Sequence, residues 1–299
     1  MDDLNRGNSY ECRGQLCIDL FDEYEHIDDS IEYVMENLLQ TTKTEHESYH
    51  ALLDKFNSFI TMKCECTPDE TENTDFLCTQ AKCVHGGNYV IFKDQLSQLE
   101  LMLDENRKSR DVIYECSELC LCPSYCHNRL IQFGPRKDLK IEDYSQFGKQ
   151  YGLTTMKTIP KGGFICEYAG EVLCKEEATI RSRTNDENGR MNYIICLNER
   201  PIGCGDGEAI QTFIDPSRIG NIGRYLNHSC DANCQIISVR VDALIPKLGI
   251  FAKRAIAPNE ELCFDYGEDE NKLNPSAEVT NRKLCFCGTS KCRKYLPNL

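Results

Sequence analysis

Cysteine spacing restricts this chain more than any other feature of its sequence. The 299 residues hold 20 cysteines, and most fall in two knots. The first runs Cys64-x-Cys66, then Cys78 and Cys83, and after a long polar interval Cys116, Cys120, Cys122 and Cys126. The second is Cys285, Cys287 and Cys292, a thiolate trio short of a fourth ligand that Cys230 can supply. Secreted proteins use such density for disulfides, but no charged-then-apolar leader follows Met1, and the C-x-C and C-x3-C spacings point to metal. Zinc takes four ligands in a tetrahedron. Eight thiolates at the spacings of the first knot are too many for one ion and too close for independent ones, so sharing of sulfurs is implied. Closed sites of this kind are structural, and they contribute folding free energy to a segment too polar to hold itself together.

An apolar content of 40% is ordinary for a folded protein, and no apolar run approaches the ~20 residues of a membrane helix. A cytosolic or nuclear protein without a membrane partner is therefore expected, as a monomer. The net charge of −14 disfavours direct DNA binding, which needs clustered Lys and Arg against phosphates, and suits a basic partner. Residues 1–60 carry most of it, with fourteen Asp and Glu against four Lys and Arg.

Taken in order, apolar residues at Ile27, Ile31, Val34, Met35, Leu38 and Leu39, and again at Leu52, Leu53, Phe56, Phe59 and Ile60, fall at helical spacing. Two amphipathic helices divided near residues 41–45 are expected. Cys12 and Cys17 fit no ligand pattern. From Ile131 onward short apolar runs broken by Gly, Pro and Asn predict strands near residues 152–155, 164–168, 193–196, 212–215, 236–241 and 248–252. Residues 175–190, rich in Glu, Arg and Asn, read as one helical insertion, and 268–282 as a mobile linker. The fold class is mostly β (α+β).

Between those strands residues 221–230 bring together Arg224, Asn227, His228, Ser229 and Cys230, with Gly220 and Gly223 placed so that backbone can approach a ligand closely. Downstream lies Cys263-Phe264-Asp265-Tyr266-Gly267. These two motifs with the closing C-x-C-x4-C resemble the SET-domain protein lysine methyltransferases of the heterochromatin type, with pre-SET and post-SET zinc segments. The resemblance covers residues 64–296, and residues 167–172 with Pro246, Lys247 and Leu248 bring it nearest the branch fused to a mariner transposase.

The resemblance implies a SET fold of small curved sheets with a pseudoknot at Asn227 and His228. It divides the chain into an N-terminal acidic helical region (1–60), a pre-SET segment (61–132), the SET domain (133–268), a linker (269–282) and a post-SET segment (283–299). It implies S-adenosylmethionine as cofactor, a histone tail as substrate and a nuclear, chromatin-associated site. Tyr266 and Tyr193 match tyrosines at the reacting centre, and Phe264 a position that governs how many methyl groups are added. Lys149, Gln150, Tyr151, Gly152, Tyr193, Arg224, Asn227, His228 and Phe286 match cofactor-binding positions. Cys230, Cys285, Cys287 and Cys292 match the post-SET zinc. In the pre-SET segment the family uses nine cysteines for three zinc ions, giving three to four ions per chain overall. Here His85 stands two residues after Cys83, where the fifth cysteine is usual, and an imidazole can replace a thiolate on zinc; alternatively a one-residue gap aligns Cys83 with that cysteine and leaves another ligand missing. The cofactor loop departs from Gly-Trp-Gly, reading Gln150-Tyr151-Gly152 in a chain with no tryptophan. A positive φ at Gln150 would be strained.

Overall fold

The computed structural model describes residues 21–67, 78, 82–93, 99–107, 112–124, 126–199, 210–267 and 283–297. Cys12, Cys17 and the 268–282 linker lie outside them. Three small sheets carry the architecture. In the first, Glu32–Tyr33, Ile210–Gly220, Gly170–Leu173 and Leu38–Leu39 lie in that order, with Ile195–Glu199 antiparallel to the long strand. The second orders Asn227–His228, Glu261–Phe264, Tyr151–Thr155 and Leu139–Asp143, and the third Val112–Tyr114, Cys234–Arg240, Lys247–Ala252 and Phe164–Glu167. A separate hairpin pairs Tyr89–Lys93 with Leu99–Leu103. Every strand expected from the apolar runs is present. Phe164–Glu167 and Gly170–Leu173 are buried at all positions, whereas Ile195–Glu199, at an edge, alternates. Leu153, Ile165, Ile214, Leu248, Ile250 and Leu262 form the centre of the core, each without solvent exposure. No helix among the described residues is long and apolar enough to cross a membrane.

The helical insertion is Lys175–Glu187. Glu176 and Glu177 occupy its first turn, where the helix dipole favours acids, and Gly189 turns the chain out with φ 64°. Arg181 docks it, reaching Glu171 at 2.6 Å, Glu177 at 2.8 Å and Asp215 at 2.9 Å. Burial works against the Glu171 carboxylate, yet the Arg181 hydrogen bonds outweigh it and hold its pKa below the ordinary value. Arg181→Met should destabilise the protein by about 3–5 kcal/mol, because it strands two buried carboxylates. Urea unfolding measures this, and a loss under about 1 kcal/mol, the worth of an exposed pair, would contradict it.

The N-terminal helical pair is half right. Glu47–Phe56 is a helix that buries Tyr49 and Leu52 against Val172 and Cys174. Residues 27–40 instead form a turn at 27–31 followed by the short strands Glu32–Tyr33 and Leu38–Leu39. Ile27, Met35 and Leu38, which an amphipathic helix would bury, are 49%, 50% and 41% exposed. Glu32 and Tyr33 pair in parallel with Ile219 and Gly220, and Leu38 and Leu39 with Glu171 and Val172. The segment thus covers edges whose backbone groups would otherwise lack partners, and that long-range pairing overrides local periodicity. Side chains reinforce it: Asn37 Oδ1 accepts from Gly170 N at 3.1 Å, and Gln40 Oε1 from Cys174 N at 2.7 Å.

Candidate active site and metal centres

The stretch 221–228 is shaped by one side chain. Asn221 Oδ1 accepts from Gly223 N and Ala169 N at 3.0 and 3.2 Å, while its Nδ2 donates to the Glu167 carbonyl at 2.9 Å. This closes the 3-10 turn Ile222–Tyr225 directly on backbone 167–169. Gly223 is required there, since a Cβ would stand 2.5 Å from the Glu167 carbonyl oxygen. The chain then runs as Asn227–His228 parallel to Cys263 and Phe264, where the resemblance places its pseudoknot.

A cavity of about 740 Å³ opens beside this crossing. Lys149, Gln150 and Tyr151 line one wall, Arg224, Asn227 and His228 another, and Tyr193, Tyr266 and Phe286 complete it. Gly152 lies behind the wall, where a Cβ would meet the Tyr144 ring at 2.8 Å. The expected strain at Gln150 does not arise, because its φ is not positive. Gly148 takes the left-handed turn instead, with φ 78°, and the Phe286 ring packs 2.9 Å from where a Cβ there would stand.

Glu261, which sequence reasoning missed, organises the loop: it pairs with Lys149 at 2.6 Å and accepts from Asn227 Nδ2 at 2.8 Å, while the same Nδ2 reaches the Tyr151 carbonyl at 3.1 Å. The Arg224 guanidinium lies over the rings of Tyr193 (4.8 Å) and Tyr225 (5.1 Å), and its Nε donates to the Pro216 carbonyl at 3.1 Å. Among the described residues no carboxylate lies within ion-pair distance of it.

Tyr266 OH donates to the Leu226 carbonyl at 2.9 Å, and Tyr266 N to His228 Nδ1 at 3.2 Å. Phe264 does not line the cavity; its ring backs Tyr266 at 4.7 Å. Burial pushes the Tyr266 hydroxyl pKa far above its ordinary value. It does the same to Tyr168, a second residue missed from sequence, whose OH donates to the Tyr193 carbonyl at 2.6 Å. His228 is held down to about 4 by burial, so its imidazole is neutral. The hydrogen bond accepted by Nδ1 places the proton on Nε2.

The described cysteines are all free. In the first knot three groups of four donors form: Cys64, Cys78, Cys83, Cys116; Cys64, His85, Cys116, Cys120; and Cys78, Cys116, Cys122, Cys126. Cys116 belongs to all three. The sulfurs of Cys64, Cys78 and Cys116 are 3.7 to 3.9 Å apart, and a tetrahedron with Zn–S bonds of ~2.3 Å has edges of ~3.8 Å. His85 Nδ1 lies 3.5 Å from Cys83 Sγ and 3.7 Å from Cys116 Sγ, close to the ~3.5 Å edge of a mixed N,S site. Cys66 packs against the cluster but belongs to none of the three groups; its sulfur lies 3.9 Å from the Lys82 carbonyl.

Cys230, Cys285, Cys287 and Cys292 make the second centre, with Cys230 and Cys285 sulfurs 3.8 Å apart. A bridge from Leu284 to Tyr295 folds this tail on itself, and the Arg293–Asp265 pair at 2.5 Å holds it beside Tyr266, with Phe286 on the cavity. The donor sets and spacings at both centres fit zinc.

The SET domain family matches residues 150–267. Over 193 residues the chain is 45% identical to the probable histone-lysine N-methyltransferase set-23 of Caenorhabditis elegans, covering 64% of this chain and 74% of that protein. The crystal structure of the methyltransferase domain of human histone-lysine N-methyltransferase SETMAR superposes with a TM-score of 0.64 at 32% identity, covering 89% of each chain; of full-length human SETMAR the chain spans 33%. The structure of KRYPTONITE in complex with mCHH DNA, H3(1-15) peptide and SAH gives a TM-score of 0.62 at 25% identity, covering 91% of this chain and 50% of that one.

Proposed function

Because this chain belongs to the SET-domain histone-lysine methyltransferases, we propose that it transfers methyl groups from S-adenosylmethionine to a histone tail lysine, the ninth residue of histone H3, giving di- and trimethyl-lysine. The observation that carries this reading is the placement of Tyr266. Half-buried, it lines the cavity together with Lys149, Arg224, Asn227 and His228, with its hydroxyl on the Leu226 carbonyl. The volume of about 740 Å³ lies within the range of roughly 300–1,000 Å³ usual for ligand sites. An H3 peptide and SAH in the KRYPTONITE structure and the likeness to Su(var)3-9 of Drosophila melanogaster support the substrate class. So does the chain's own acidity, which suits a basic tail in chromatin.

S-adenosylmethionine supplies an electrophilic methyl on a sulfonium. The chain's residues hold it and prepare the acceptor. Arg224, stacked on Tyr193 and without a carboxylate within ion-pair distance among the described residues, is placed for the cofactor's carboxylate. A free lysine amine titrates near ~10.4, and desolvation in a water-excluding channel would disfavour its charged form. Tyr266 and Tyr168 stay protonated, so neither serves as base; the Tyr266 oxygen orients the amine and the proton departs to water. Alignment of this kind lowers a barrier by roughly 7–11 kcal/mol in favourable cases. The zinc ions would be structural: Cys64, Cys78, Cys83, His85, Cys116, Cys120, Cys122 and Cys126 would hold the pre-SET cluster (61–132), and Cys230, Cys285, Cys287 and Cys292 an ion that fixes residues 283–299 beside the SET domain (133–268).

The pH dependence follows. Since burial raises the Tyr266 pKa, the hydroxyl keeps its proton beyond the pH where an exposed tyrosine loses it. The logarithm of kcat/KM should rise through the amine's range with no falling limb up to about pH 10, the ordinary tyrosine value. A falling limb near neutral pH would contradict a neutral Tyr266.

Product number rests on Phe264. A tyrosine there would hold a water beside the acceptor amine and fill space that a methylated amine needs; phenylalanine offers no such hydrogen bond. The natural chain should yield di- and trimethyl-lysine, and Phe264→Tyr should shift the product to monomethyl-lysine. A time course in which the natural chain stops at monomethyl-lysine under excess cofactor would defeat this.

Labelled S-adenosylmethionine with a panel of core histones and tail peptides tests the substrate. Label on H3 supports the reading, and label on a non-histone protein alone moves the substrate elsewhere. No label on any protein, with the cofactor bound, would mark a peptide-binding scaffold and overturn it.

A further inference from the structure

One wall of the cavity comes from residues outside every motif named so far. Asp28, Ser30 and Ile31 line it together with Ser217 and Arg224. They are held there from both sides. His26 Nε2 lies 3.0 Å from the Gly220 carbonyl and Nδ1 3.2 Å from the Tyr225 hydroxyl, and Glu32–Tyr33 pairs with Ile219 and Gly220. Ser30 N donates to Asp28 Oδ1 at 2.9 Å, fixing the carboxylate at the turn.

The charges of the cavity do not cancel in place. Lys149 is paired with Glu261, and Lys283 lies 3.7 Å from Asp186. Arg224 has no carboxylate within ion-pair distance among the described residues, and Asp28 has no cation within it. One cation and one anion, each open, therefore face the same space. The α-amino-acid end of S-adenosylmethionine is a zwitterion, one carboxylate and one ammonium on a single carbon, and so has the complementary pair of charges.

We propose that Asp28 is a cofactor-binding residue whose carboxylate takes the ammonium of this end while Arg224 takes its carboxylate. The inference rests on the cofactor reading above. Ser30 supports Asp28 by keeping it charged, since hydrogen bonds from Ser30 hold its pKa below the ordinary carboxylate range. It gives the acidic N-terminal segment a role in the site as well as in the sheet.

The test is calorimetric titration of the full chain and of Asp28→Asn with S-adenosylhomocysteine and with 5′-methylthioadenosine, which keeps the nucleoside and sulfur but lacks the amino-acid end. Asp28 is exposed, so the expected loss is modest: about fivefold weaker S-adenosylhomocysteine binding, with methylthioadenosine unchanged. Asp29→Asn, beside it but off the cavity wall, should change neither. Unaltered S-adenosylhomocysteine affinity in Asp28→Asn overturns the proposal, as does equal weakening of both ligands, the sign of a loosened segment. Failure of the natural chain to bind S-adenosylhomocysteine at all overturns the cofactor reading itself.

Discussion

Replacing Cys116 by serine should strip the pre-SET segment of zinc, lowering the content from about four ions per chain to about one. Cys116 is the thiolate common to all three donor groups, so one substitution breaks every tetrahedron at once. Structural zinc in small domains contributes apparent binding energies of ~10–16 kcal/mol, comparable to or above the ~5–15 kcal/mol that holds a whole domain folded. The damage should spread, because Val112–Tyr114 just before Cys116 pairs in parallel with Cys234–Arg240 in the third sheet. Metal analysis and thermal melting read both effects. His85→Ala should cost less, since His85 enters one group only, and His85→Cys should restore the ion. Loss of one ion or none in Cys116→Ser, with an unchanged melting temperature, would contradict a shared cluster.

Tyr266→Phe should lower kcat by about 10²–10³-fold while leaving cofactor affinity within about twofold, the pattern of an interaction used mainly in the transition state. The substitution removes only an oxygen. The ring keeps its neighbours Phe264 at 4.7 Å and His228 at 5.2 Å, so the wall keeps its shape. What is lost is the hydroxyl fixed by the Leu226 carbonyl and hence the group that orients the acceptor amine. A fall of less than about tenfold would mean that positioning comes from elsewhere in the cavity.

The chemistry-bearing residues were legible because they are dense in sequence. Residues 221–230 and 263–267 each place several reactive groups within one turn or strand, and parallel pairing of Asn227 and His228 with Cys263 and Phe264 brings them together. His85 keeps the two-residue offset from Cys83, and the structure sets its Nδ1 3.5 Å from that sulfur, a choice that the sequence left open against a one-residue gap aligning Cys83 with the family's fifth cysteine. What could not be read depends on contacts distant in sequence. The apolar spacing of residues 27–40 fits a helix, and nothing local reveals that its backbone partners are Ile219, Gly220, Glu171 and Val172. The same distance hides Asp28 and Glu261, acids in polar surroundings whose place at the cavity arises only when the sheets assemble. Gln150 shows the limit of transferring a motif: the left-handed position lies two residues earlier, at Gly148.

The most direct measurement is tandem mass spectrometry of histone H3 after incubation with the zinc-loaded chain and S-adenosylmethionine whose methyl carries deuterium. Deuterated methyl groups should appear on the lysine at the ninth residue, mostly two or three to the amine, and should vanish in Tyr266→Phe. Deuterium on no lysine of H3 or of any other histone, from protein that is folded and binds S-adenosylhomocysteine, would contradict it.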